Sequence, residues 1–353
     1  MPVLTNRARR RLASWAVALA ALAACSAPAE RVAAPAAPST PTAQPSQASP
    51  APAPVSLNYG ITGMLVSYWI DFVGLGKGFF AGEGVNPDLV LTETSARTTT
   101  ALAGGSLDIA NNSPDSSILA VEKGADLAIV GEELARPVYT LLGQPTIQSV
   151  PELRGQRVGV SDLKSGATIV LLRTLARYGV GASDVDLVPA GGTSARYAAL
   201  KSGAIAAAAM LQPDDFRAMD EGFQRLAVST EAVPSLPFNS VVVRRDWARA
   251  HADELVRFLR AFRQSVDWLY DPANRDEAIA LLVERTKVED SHARRTYDLA
   301  VTQERIFAEH GRVSLDGLQT MLEFLVETGD LSPPLPSPAK YVDTTYWEQA
   351  APR

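Results

Sequence analysis

Short apolar runs alternate with longer helical stretches from Val55 onward, and glycine and proline mark the changes between them. Apolar runs of this kind are typical of buried strands, and their alternation with helices is typical of βαβ units. Such units build mostly parallel sheets, because each crossover helix carries the chain back to the edge where the next strand starts. The sequence therefore predicts an α/β protein with mostly parallel sheets.

The predicted strands and the helices between them can be placed from this pattern. The strands are 57–61, 88–92, 107–110, 127–130, 138–142, 157–160, 187–188 and 240–244, and the helices are 96–103, 116–123, 166–178, 195–201 and 214–220. After about Asp246 the spacing of apolar residues becomes almost purely helical. Added C-terminal helices are predicted over 247–270, 275–285, 291–310 and 314–327. Ser332-Pro333-Pro334 is predicted to end regular structure, because proline lacks the backbone donor.

Two segments of the chain resemble each other at a constant spacing. Residues 101–110 align without gaps on residues 199–208, each 98 positions after its counterpart. At the same spacing, Gly124 aligns with Gly222 and Val130 aligns with Val228. The alternative is chance similarity in an alanine-rich chain. A true repeat predicts two similar lobes, each with a helix, a tight glycine turn and a short strand.

The N-terminus carries the pattern of an export signal. A basic run, 6–11, precedes an apolar stretch, 12–24, that is shorter than the ~20 residues of a membrane-spanning helix. The stretch ends in Leu22-Ala23-Ala24-Cys25, which resembles the lipobox of bacterial lipoproteins. The resemblance implies a signal peptide over 1–24 and lipidation of Cys25, the only cysteine; the alternative is a buried free thiol. Residues 25–54, rich in Ala, Pro and Ser, are predicted to form an extended tether.

Charge and composition exclude several classes of function. The net charge is -6 at pH 7, and loss of the arginine-rich signal makes the mature chain more acidic, which argues against a nucleic-acid partner. No later segment is long and apolar enough to cross a bilayer. His251, His292 and His310 lack the spacing of metal ligands. We therefore expect a monomer without metal or cofactor, anchored only at its N-terminus.

Four segments resemble, in order, motifs of one protein family. These segments are residues 78–85, 101–110, 153–160 and 199–203. They resemble substrate-binding proteins of the nitrate/taurine/sulfonate type, which feed ABC importers and are related to thiamine-precursor synthases. The resemblance implies the two-lobed periplasmic binding protein type 2 fold with a ligand cleft between the lobes. Its implied organisation is lobe one over 55–145 and 235–330, lobe two over 146–234, and a Pro-rich tail over 331–353. The chain departs from the family at Ala206, where an acid is usual, and at 74–77, which is less helical than usual.

The function implied by this resemblance is capture and delivery. An exported protein, lipid-anchored to the cell membrane in the periplasm or on the outer face, would bind a small organic or anionic solute and pass it to an ABC permease and its ATPase. One alternative is a ligand sensor of the same fold. Another is an enzyme, although the related enzymatic branch depends on a cysteine-rich segment that one lipidated cysteine cannot supply. Sulfonates, nitrate, pyrimidines, flavins and aromatic acids all remain open as ligands.

Candidate ligand-binding residues lie where predicted strands end and helices begin, because ligands of parallel α/β lobes meet the carboxyl ends of strands. Each candidate has a structural alternative: Tyr68 and Trp69 either stack on a ligand or pack in the core, and the polar residues at 111–113 either bind ligand or form a turn. Ser165 either offers its hydroxyl to an anion or caps its helix. Arg196 lies in the same group as Thr193, and Asp162 keeps a neutral or zwitterionic ligand open. The candidates are Thr62, Tyr68, Trp69, Asn111, Asn112, Ser113, Ser165, Thr168, Thr193, Gln212 and Asn239.

Overall fold

A computed structural model of the chain describes residues 54–233 and 236–351, so the predicted signal peptide, the lipidation site Cys25 and nearly all of the tether lie outside the described residues. Within the described part, the strands form two five-stranded sheets. The strands are β1 (Val55–Ile61), β2 (Val85–Leu91), β3 (Ile109–Asn112), β4 (Leu127–Leu134), β5 (Thr140–Gly143), β6 (Arg157–Val160), β7 (Asp186–Pro189), β8 (Ala207–Met210), β9 (Gln224–Val228) and β10 (Asn239–Arg244).

The two sheets have the same topology. The first has the strand order β2-β1-β3-β10-β4 and the second β7-β6-β8-β5-β9. In the first sheet β1 runs parallel to β2 and β3, and β10 runs antiparallel to β3 and β4. In the second sheet β6 runs parallel to β7 and β8, and β5 runs antiparallel to β8 and β9. The predicted α/β class with mostly parallel sheets is confirmed, and each sheet takes its antiparallel strand from a segment where the chain changes sheets.

Helices pack on both sheets, and the C-terminal helices enlarge the first lobe. They are α1 (Trp69–Gly76), α2 (Phe79–Gly82), α3 (Ser95–Ala103), α4 (Pro114–Glu122), α5 (Gly166–Arg177), α6 (Thr193–Lys201), α7 (Asp214–Asp220), α8 (Arg245–Ala250), α9 (Ala252–Tyr270), α10 (Arg275–Thr286), α11 (Asp290–Tyr297), α12 (Leu315–Glu327) and α13 (Thr345–Gln349). The long helix α9 places Phe258 and Phe262 in the core, where Phe258 stacks on Phe80 and meets the edge of Tyr59. The helix α9 therefore shares an aromatic core with the first sheet.

The internal repeat is a structural repeat. At the spacing of 98 residues, β3 corresponds to β8 and β4 to β9, and these pairs hold the same positions in their sheets. Leu102 and Leu200 are both fully buried on the helices that precede the shared turn. Gly105 and Gly203 have φ values of 80° and 75°, in the left-handed region that favours glycine. Chance similarity would not place equivalent turns in equivalent positions of both sheets.

The change of sheet differs from its predicted position. β5 pairs with β8 and β9, so the chain passes from the first sheet to the second between Leu134 and Thr140, ahead of the predicted lobe boundary at 145/146. The strand predicted at 138–142 therefore belongs to lobe two. The return occurs before β10 starts at Asn239, close to the predicted position.

The structure corrects several predicted helices. The helix predicted over 291–310 ends early: α11 continues as a π-helix only to Gln303, and Phe307 pairs with Leu134. The helix predicted over 247–270 breaks at His251. The segment 74–77, predicted to be less helical than usual, completes α1 through Gly76, and its glycines allow close packing. A Cβ on Gly74 would lie 2.4 Å from the Phe80 ring.

The Pro-rich tail predicted over 331–353 is part of the fold as far as the structure describes it, through residue 351. Val342 pairs with Ile129 of β4, and Tyr341, Tyr346 and Trp347 are buried. The helix α13 follows the prolines and packs on α9. The prediction that regular structure ends at Ser332–Pro334 is therefore wrong, because aromatic residues beyond the prolines return to the core.

None of the helices in the described residues is long and apolar enough to span a membrane.

Candidate functional site

The cleft between the two sheets is built from helix N-termini. The helices α3 and α4 begin there from the first lobe, and α5 and α6 begin there from the second. Each follows a strand or the loop after it, so the carboxyl ends of strands face one another across the cleft. The lining residues are Thr62, Leu65, Ser67, Tyr68, Glu93, Thr94, Ser95, Ser113, Tyr139, Ser161, Asp162, Ser165, Ala167, Gly192, Thr193, Arg196, Leu211, Phe238 and Asn239.

This arrangement favours a negatively charged ligand. The first backbone N–H groups of a helix lack partners within the helix, and the helix dipole places partial positive charge at the same end. Thr94, Ser113, Ser165 and Gly192 are the residues that immediately precede α3, α4, α5 and α6. Converging N-termini together with hydroxyl donors are suited to an oxyanion.

Arg196 is the strongest single feature of the cleft. It is 3% exposed, and its guanidinium donates to the carbonyls of Ala209 (3.0 Å) and Gly191 (2.7 Å) and to Thr193 Oγ1 (3.3 Å). Among the described residues it has no carboxylate partner in these bonds. Burial lowers the pKa of Arg196, and the electrostatic influence of Tyr139 and Asp162 opposes that shift. A guanidinium has five N–H donors, so the three bonds leave donors for a ligand.

The cavity beside Arg196, called the inner pocket below, has a volume of about 70 Å³. A single water needs on the order of 10–15 Å³ of such space, so the inner pocket holds a small head group and not a large organic body. Tyr68 lies on the wall of the inner pocket, with its hydroxyl oxygen 2.6 Å from Thr62 Oγ1. The backbone N–H of Thr62 donates to the Tyr68 hydroxyl oxygen at 3.1 Å. Burial raises the pKa of Tyr68 to about 12, so the phenol stays protonated and available as a hydrogen-bonding group.

The structure brings together six of the residues predicted from the sequence. They all line the inner pocket, and they come from both lobes: Thr62, Tyr68, Ser113, Ser165, Thr193 and Asn239. Ser165 also caps α5, accepting from the Thr168 N–H at 3.3 Å. The two interpretations of Ser165, as helix cap and as pocket residue, therefore hold together.

Trp69 is not a cleft residue, and its predicted stacking on ligand is wrong. Its side chain is fully buried, its Nε1–H donates to the carbonyl of Ala278 at 3.0 Å, and Tyr297 meets its ring edge-on at 5.9 Å. Trp69 is the first residue of α1 and points away from the cleft into the helices that follow β10. Trp69 therefore packs in the core, which was the alternative interpretation of this residue.

The two asparagines also lie behind the cleft, because β3 extends to Asn112, beyond the predicted strand end. The Asn111 amide donates to Asp71 Oδ2 at 3.1 Å and also to Glu133 Oε2. Asp71 and Glu133 are wholly buried, and burial raises the pKa of both carboxyls. Asn112 donates to Thr99 Oγ1 at 2.8 Å. These amides hold the lobe together and do not line the inner pocket.

Thr168 and Gln212 are likewise engaged inside lobe two. The Thr168 hydroxyl donates to the carbonyl of Asp162 at 2.6 Å, and the Gln212 amide donates to Asp215 Oδ2 at 2.8 Å. Both side chains are buried and neither lines the inner pocket. Both lie near strand ends, as predicted, but the Thr168 hydroxyl and the Gln212 amide nitrogen bond to groups of lobe two.

Several pocket residues were not among the predicted candidates. Thr94 and Ser95 start α3, and a Thr-Ser pair ahead of a helix is a sequence signal for an N-terminus that could have identified them. Tyr139 and Phe238 line the pocket from the segments that connect the lobes, and their rings meet edge-on at 5.3 Å. No local pattern marks these connecting residues.

Asp115 joins the two lobes beneath the inner pocket. It belongs to α4, and its Oδ2 accepts from the backbone N–H of Gly166, the first residue of α5, at 2.9 Å. Ser113 donates to its other oxygen. Burial raises the pKa of Asp115 to about 6. A carboxylate of the protein therefore occupies one of the N-termini of the cleft and connects a pocket residue to the contact between lobes.

We expect Gly166→Ala to weaken closure of the lobes. A Cβ at Gly166 would lie 2.6 Å from Ser113 Oγ and 2.9 Å from Asp115 Oδ1, which forces the contact apart. The expected result is a larger radius of gyration in solution scattering and weaker ligand binding, with each lobe still folded. Gly82→Ala is the matched control, because a Cβ there meets nothing within 4 Å. Equal scattering and affinity for Gly166→Ala and the wild type would show that this contact does not govern closure.

A polar cleft between two α/β lobes of the same topology is the architecture of the two-lobed periplasmic binding protein fold. Residues 68–275 match the family described as NMT1/THI5 like. The match spans more than half of the chain, and the chain belongs to the NMT1/THI5-like family. The resemblance found in the sequence motifs is thereby confirmed. No curated protein sequence matches the chain.

Solved structures support the same fold. The chain is similar to the alkanesulfonate-binding protein SsuA from Xanthomonas axonopodis bound to MOPS (TM-score 0.68, 21% identity, covering 83% of this chain and 99% of that one). It is also similar to the periplasmic nitrate-binding protein NrtA from Synechocystis (TM-score 0.72, 15% identity, 84% and 88%). The desulfurization enzyme DSZB is a further structural neighbour (TM-score 0.63, 15% identity, 84% and 98%). The fold is thus that of the periplasmic binding proteins, and it is shared by at least one enzyme.

Proposed function

We propose that this chain is an exported solute-binding lipoprotein that captures a small oxyanionic organic solute between its lobes and delivers it to an ABC importer. The observation that carries this proposal is Arg196, a buried guanidinium with free donors where four helices begin, of which only α5 already has a carboxylate, Asp115, at its N-terminus. A buried cation without a carboxylate partner is costly unless an anion compensates it. The ligand supplies that anion, and its contacts with both lobes favour the closed form.

The neighbours named for alkanesulfonate and nitrate binding support an oxyanion, and the hydroxyls of Thr62, Ser113, Ser165 and Thr193 fit one. A sulfonate has three oxygens that accept hydrogen bonds in a tetrahedral arrangement. Donors surround the inner pocket from both lobes, which suits such a group. Among the ligand classes left open by the sequence, the buried guanidinium of Arg196 and the hydroxyls around it favour sulfonates over uncharged pyrimidines and flavins.

A thermal-shift screen tests the proposal. Protein starting at Val55, in a buffer free of sulfonate and phosphate, is titrated with sulfonates, nitrate, pyrimidines, flavins and aromatic carboxylates. We expect the melting midpoint to rise with sulfonate concentration, since a ligand at 100 times its Kd adds about 2.7 kcal/mol of stability. A rise with pyrimidines or flavins alone would contradict an oxyanion site.

Capture without chemistry is part of the proposal, and the enzymatic neighbour makes it worth a direct test. After prolonged incubation, mass spectrometry of the released ligand is expected to show the compound unchanged. Conversion of the ligand would favour the enzyme alternative instead. Genes for a permease and an ATPase beside this one would favour the importer, whereas a sensor kinase gene would favour a ligand sensor.

The lipid anchor at Cys25 gives the proposed protein its place at the membrane that holds the importer. We expect Cys25→Ser to bind ligand with unchanged affinity but to leave the membrane fraction, because the acylated thiol is replaced by a hydroxyl that the modification does not use. Calorimetry measures the affinity, and fractionation of cells that express the full chain measures the loss from the membrane. Ser26→Ala is the control and is expected to stay with the membrane. Loss of affinity in the Cys25→Ser protein would mean that the thiol serves the fold.

A further inference from the structure

The hydroxyls at the start of α5 donate their protons in one direction. The Thr168 hydroxyl gives its only proton to the carbonyl of Asp162, at 2.6 Å. The hydrogen bond of 3.1 Å between Thr168 Oγ1 and Ser165 Oγ therefore uses the Ser165 proton. The hydrogen bond of 2.6 Å between Ser165 Oγ and Ser161 Oγ then uses the Ser161 proton. All three hydroxyl protons are thus used within lobe two.

The neighbouring lining residues also present acceptors to the inner pocket. Ser113 donates its proton to the carboxylate of Asp115, so Ser113 and Ser161 offer a ligand lone pairs and no proton. Asp162 adds a carboxylate, whose Oδ1 accepts from the Lys164 N–H at 2.9 Å. Its Oδ2 has no hydrogen-bond partner among the described residues. Ser113, Ser161 and Asp162 all line the inner pocket and are called the acceptor wall below.

The donors of the inner pocket come from other residues. Arg196 uses three of its five N–H groups within the fold and keeps the others for a ligand. Thr193 Oγ1 accepts from Arg196 Nη2 at 3.3 Å and therefore keeps its own proton for a ligand. The backbone N–H of Ala167, the second residue of α5, has no partner among the described residues. One head group in the inner pocket thus meets donors and an acceptor wall together.

The charges around the head group favour a ligand that keeps a proton. Arg196 supplies one positive charge, whereas Asp162 lines the inner pocket and Asp115 lies beneath it. Burial raises the pKa of Asp115 only to about 6, so this carboxyl is ionised at neutral pH. An unprotonated ligand oxygen would be repelled by the acceptor wall, and a proton on that oxygen turns the repulsion into a charge-assisted hydrogen bond. The neighbouring charged side chains are paired with each other: Glu93 with Arg97, and Lys164 with Asp330.

We propose that the inner pocket selects a tetrahedral oxyanion that carries one proton, the monoanion of an organic phosphonate, over a sulfonate, which carries none at neutral pH. This inference rests on the proposed function, because it places the unprotonated oxygens at Arg196 and Thr193. The protonated oxygen donates to Asp162. A phosphate monoester loses its second proton at about pH 6, whereas a phosphonate is a weaker acid and keeps that proton at neutral pH. A sulfonate meets the same donors without the bond to Asp162 and therefore binds more weakly.

Methylphosphonate and methanesulfonate test this selection, because they share shape and size and differ in the proton. Calorimetry at pH 7, with protein starting at Val55 and a buffer free of other oxyanions, is expected to show methylphosphonate binding about tenfold more tightly, as for one charge-assisted hydrogen bond. Equal or tighter binding of methanesulfonate would overturn the inference and leave the oxyanion function standing. If neither compound binds, the proposed oxyanion function fails as well.

The pH dependence separates the ligand's proton from the protein's own groups. Between about pH 7 and about pH 9 the affinity for methylphosphonate should fall as the ligand loses its proton, and the affinity for methanesulfonate should stay constant. The pKa of Asp115, about 6, lies below this range and that of Tyr68, about 12, lies above it. Burial also raises the pKa of Tyr139, and no histidine lines the inner pocket. An equal fall for both ligands, or no fall for methylphosphonate, would contradict the proposed proton. The charged side chains that face the head group are Arg196, Asp162, Glu93 and, beneath the pocket, Asp115.

Asp162→Asn replaces the proposed proton acceptor by an amide that donates. The remaining side-chain oxygen can still accept from the Lys164 N–H, so the loop before α5 keeps its bond. We expect the affinity for methylphosphonate to fall about tenfold and that for methanesulfonate to rise, which abolishes the preference. Asp186→Asn, at an exposed carboxylate that begins β7 of the same lobe, is the matched control and should change neither affinity. An equal loss for both ligands, or an unchanged preference, in an Asp162→Asn protein with the wild-type melting midpoint would overturn the inference.

Discussion

Arg196→Met is expected to reduce the affinity for the oxyanionic ligand by about 30-fold or more, since removal of one buried, hydrogen-bonded charge partner costs about 2–5 kcal/mol. Methionine keeps an unbranched, buried side chain of similar length but donates no hydrogen bond. Arg196 lies at the head-group position, so every ligand that shares the head group should be affected equally. Calorimetry with a short sulfonate measures the loss.

Two further variants separate charge from geometry. Arg196→Lys retains the positive charge but not the planar fork of donors, and we expect it to recover only part of the affinity. Arg177→Met is the matched control on the same lobe, at the exposed end of α5. Because Arg196 also bonds the carbonyls of Ala209 and Gly191, its variants will be less stable, and the melting midpoint must be followed. Unchanged affinity in a folded Arg196→Met protein would refute the oxyanion site.

Trp69→Ala is expected to show the opposite pattern, with a large loss of stability and little change in affinity. Removal of a buried large aromatic side chain costs about 3–5 kcal/mol, and for a chain of this size that lowers the melting midpoint by roughly 10 °C. The indole also bonds the carbonyl of Ala278 and contacts Tyr297, and both contacts are lost. Ligand affinity should stay within about twofold, because Trp69 does not line the inner pocket.

A conservative variant checks the origin of this loss. Trp69→Phe keeps a ring but not the N–H, so it should lose less stability than Trp69→Ala, with about 1 kcal/mol assigned to the hydrogen bond. Thermal unfolding without ligand gives the stabilities, and calorimetry gives the affinities. A Trp69→Ala protein that melts like the wild type but no longer binds ligand would show that Trp69 contacts the ligand and is not a core residue.

Much of the fold was predictable because it depends on local patterns. The spacing of apolar residues and the positions of glycine and proline placed most strands within a few residues. The bounds of β6 and α7 agree with the predicted ones. The repeat predicted two lobes, and the sheets share one topology. The failures have nonlocal causes. The helix predicted to His310 stops where Phe307 pairs with Leu134, and the tail beyond the prolines returns to the core through Trp347.

The site was predictable in position but not in detail. The rule that ligands meet the carboxyl ends of strands located Thr62, Ser113, Ser165 and Thr193. It failed for Asn111 because β3 runs further than its apolar pattern, so the amide enters the core beside Asp71 and Glu133. A difference of two residues in a strand end decides whether a polar side chain faces the ligand or the interior.

The class of fold, the doubling of the lobe and the strand ends that supply the cleft are all recognisable in the sequence, because they depend on patterns within a few residues of each other. Which side chains enter the cleft depends instead on contacts between distant parts of the chain. Trp69 is held by Ala278, 209 positions away in the chain. Arg196 gains its role because α3, α4, α5 and α6 begin around it from both lobes. Side-chain direction depends on how each helix is rotated by partners distant in sequence, and no local pattern records those partners.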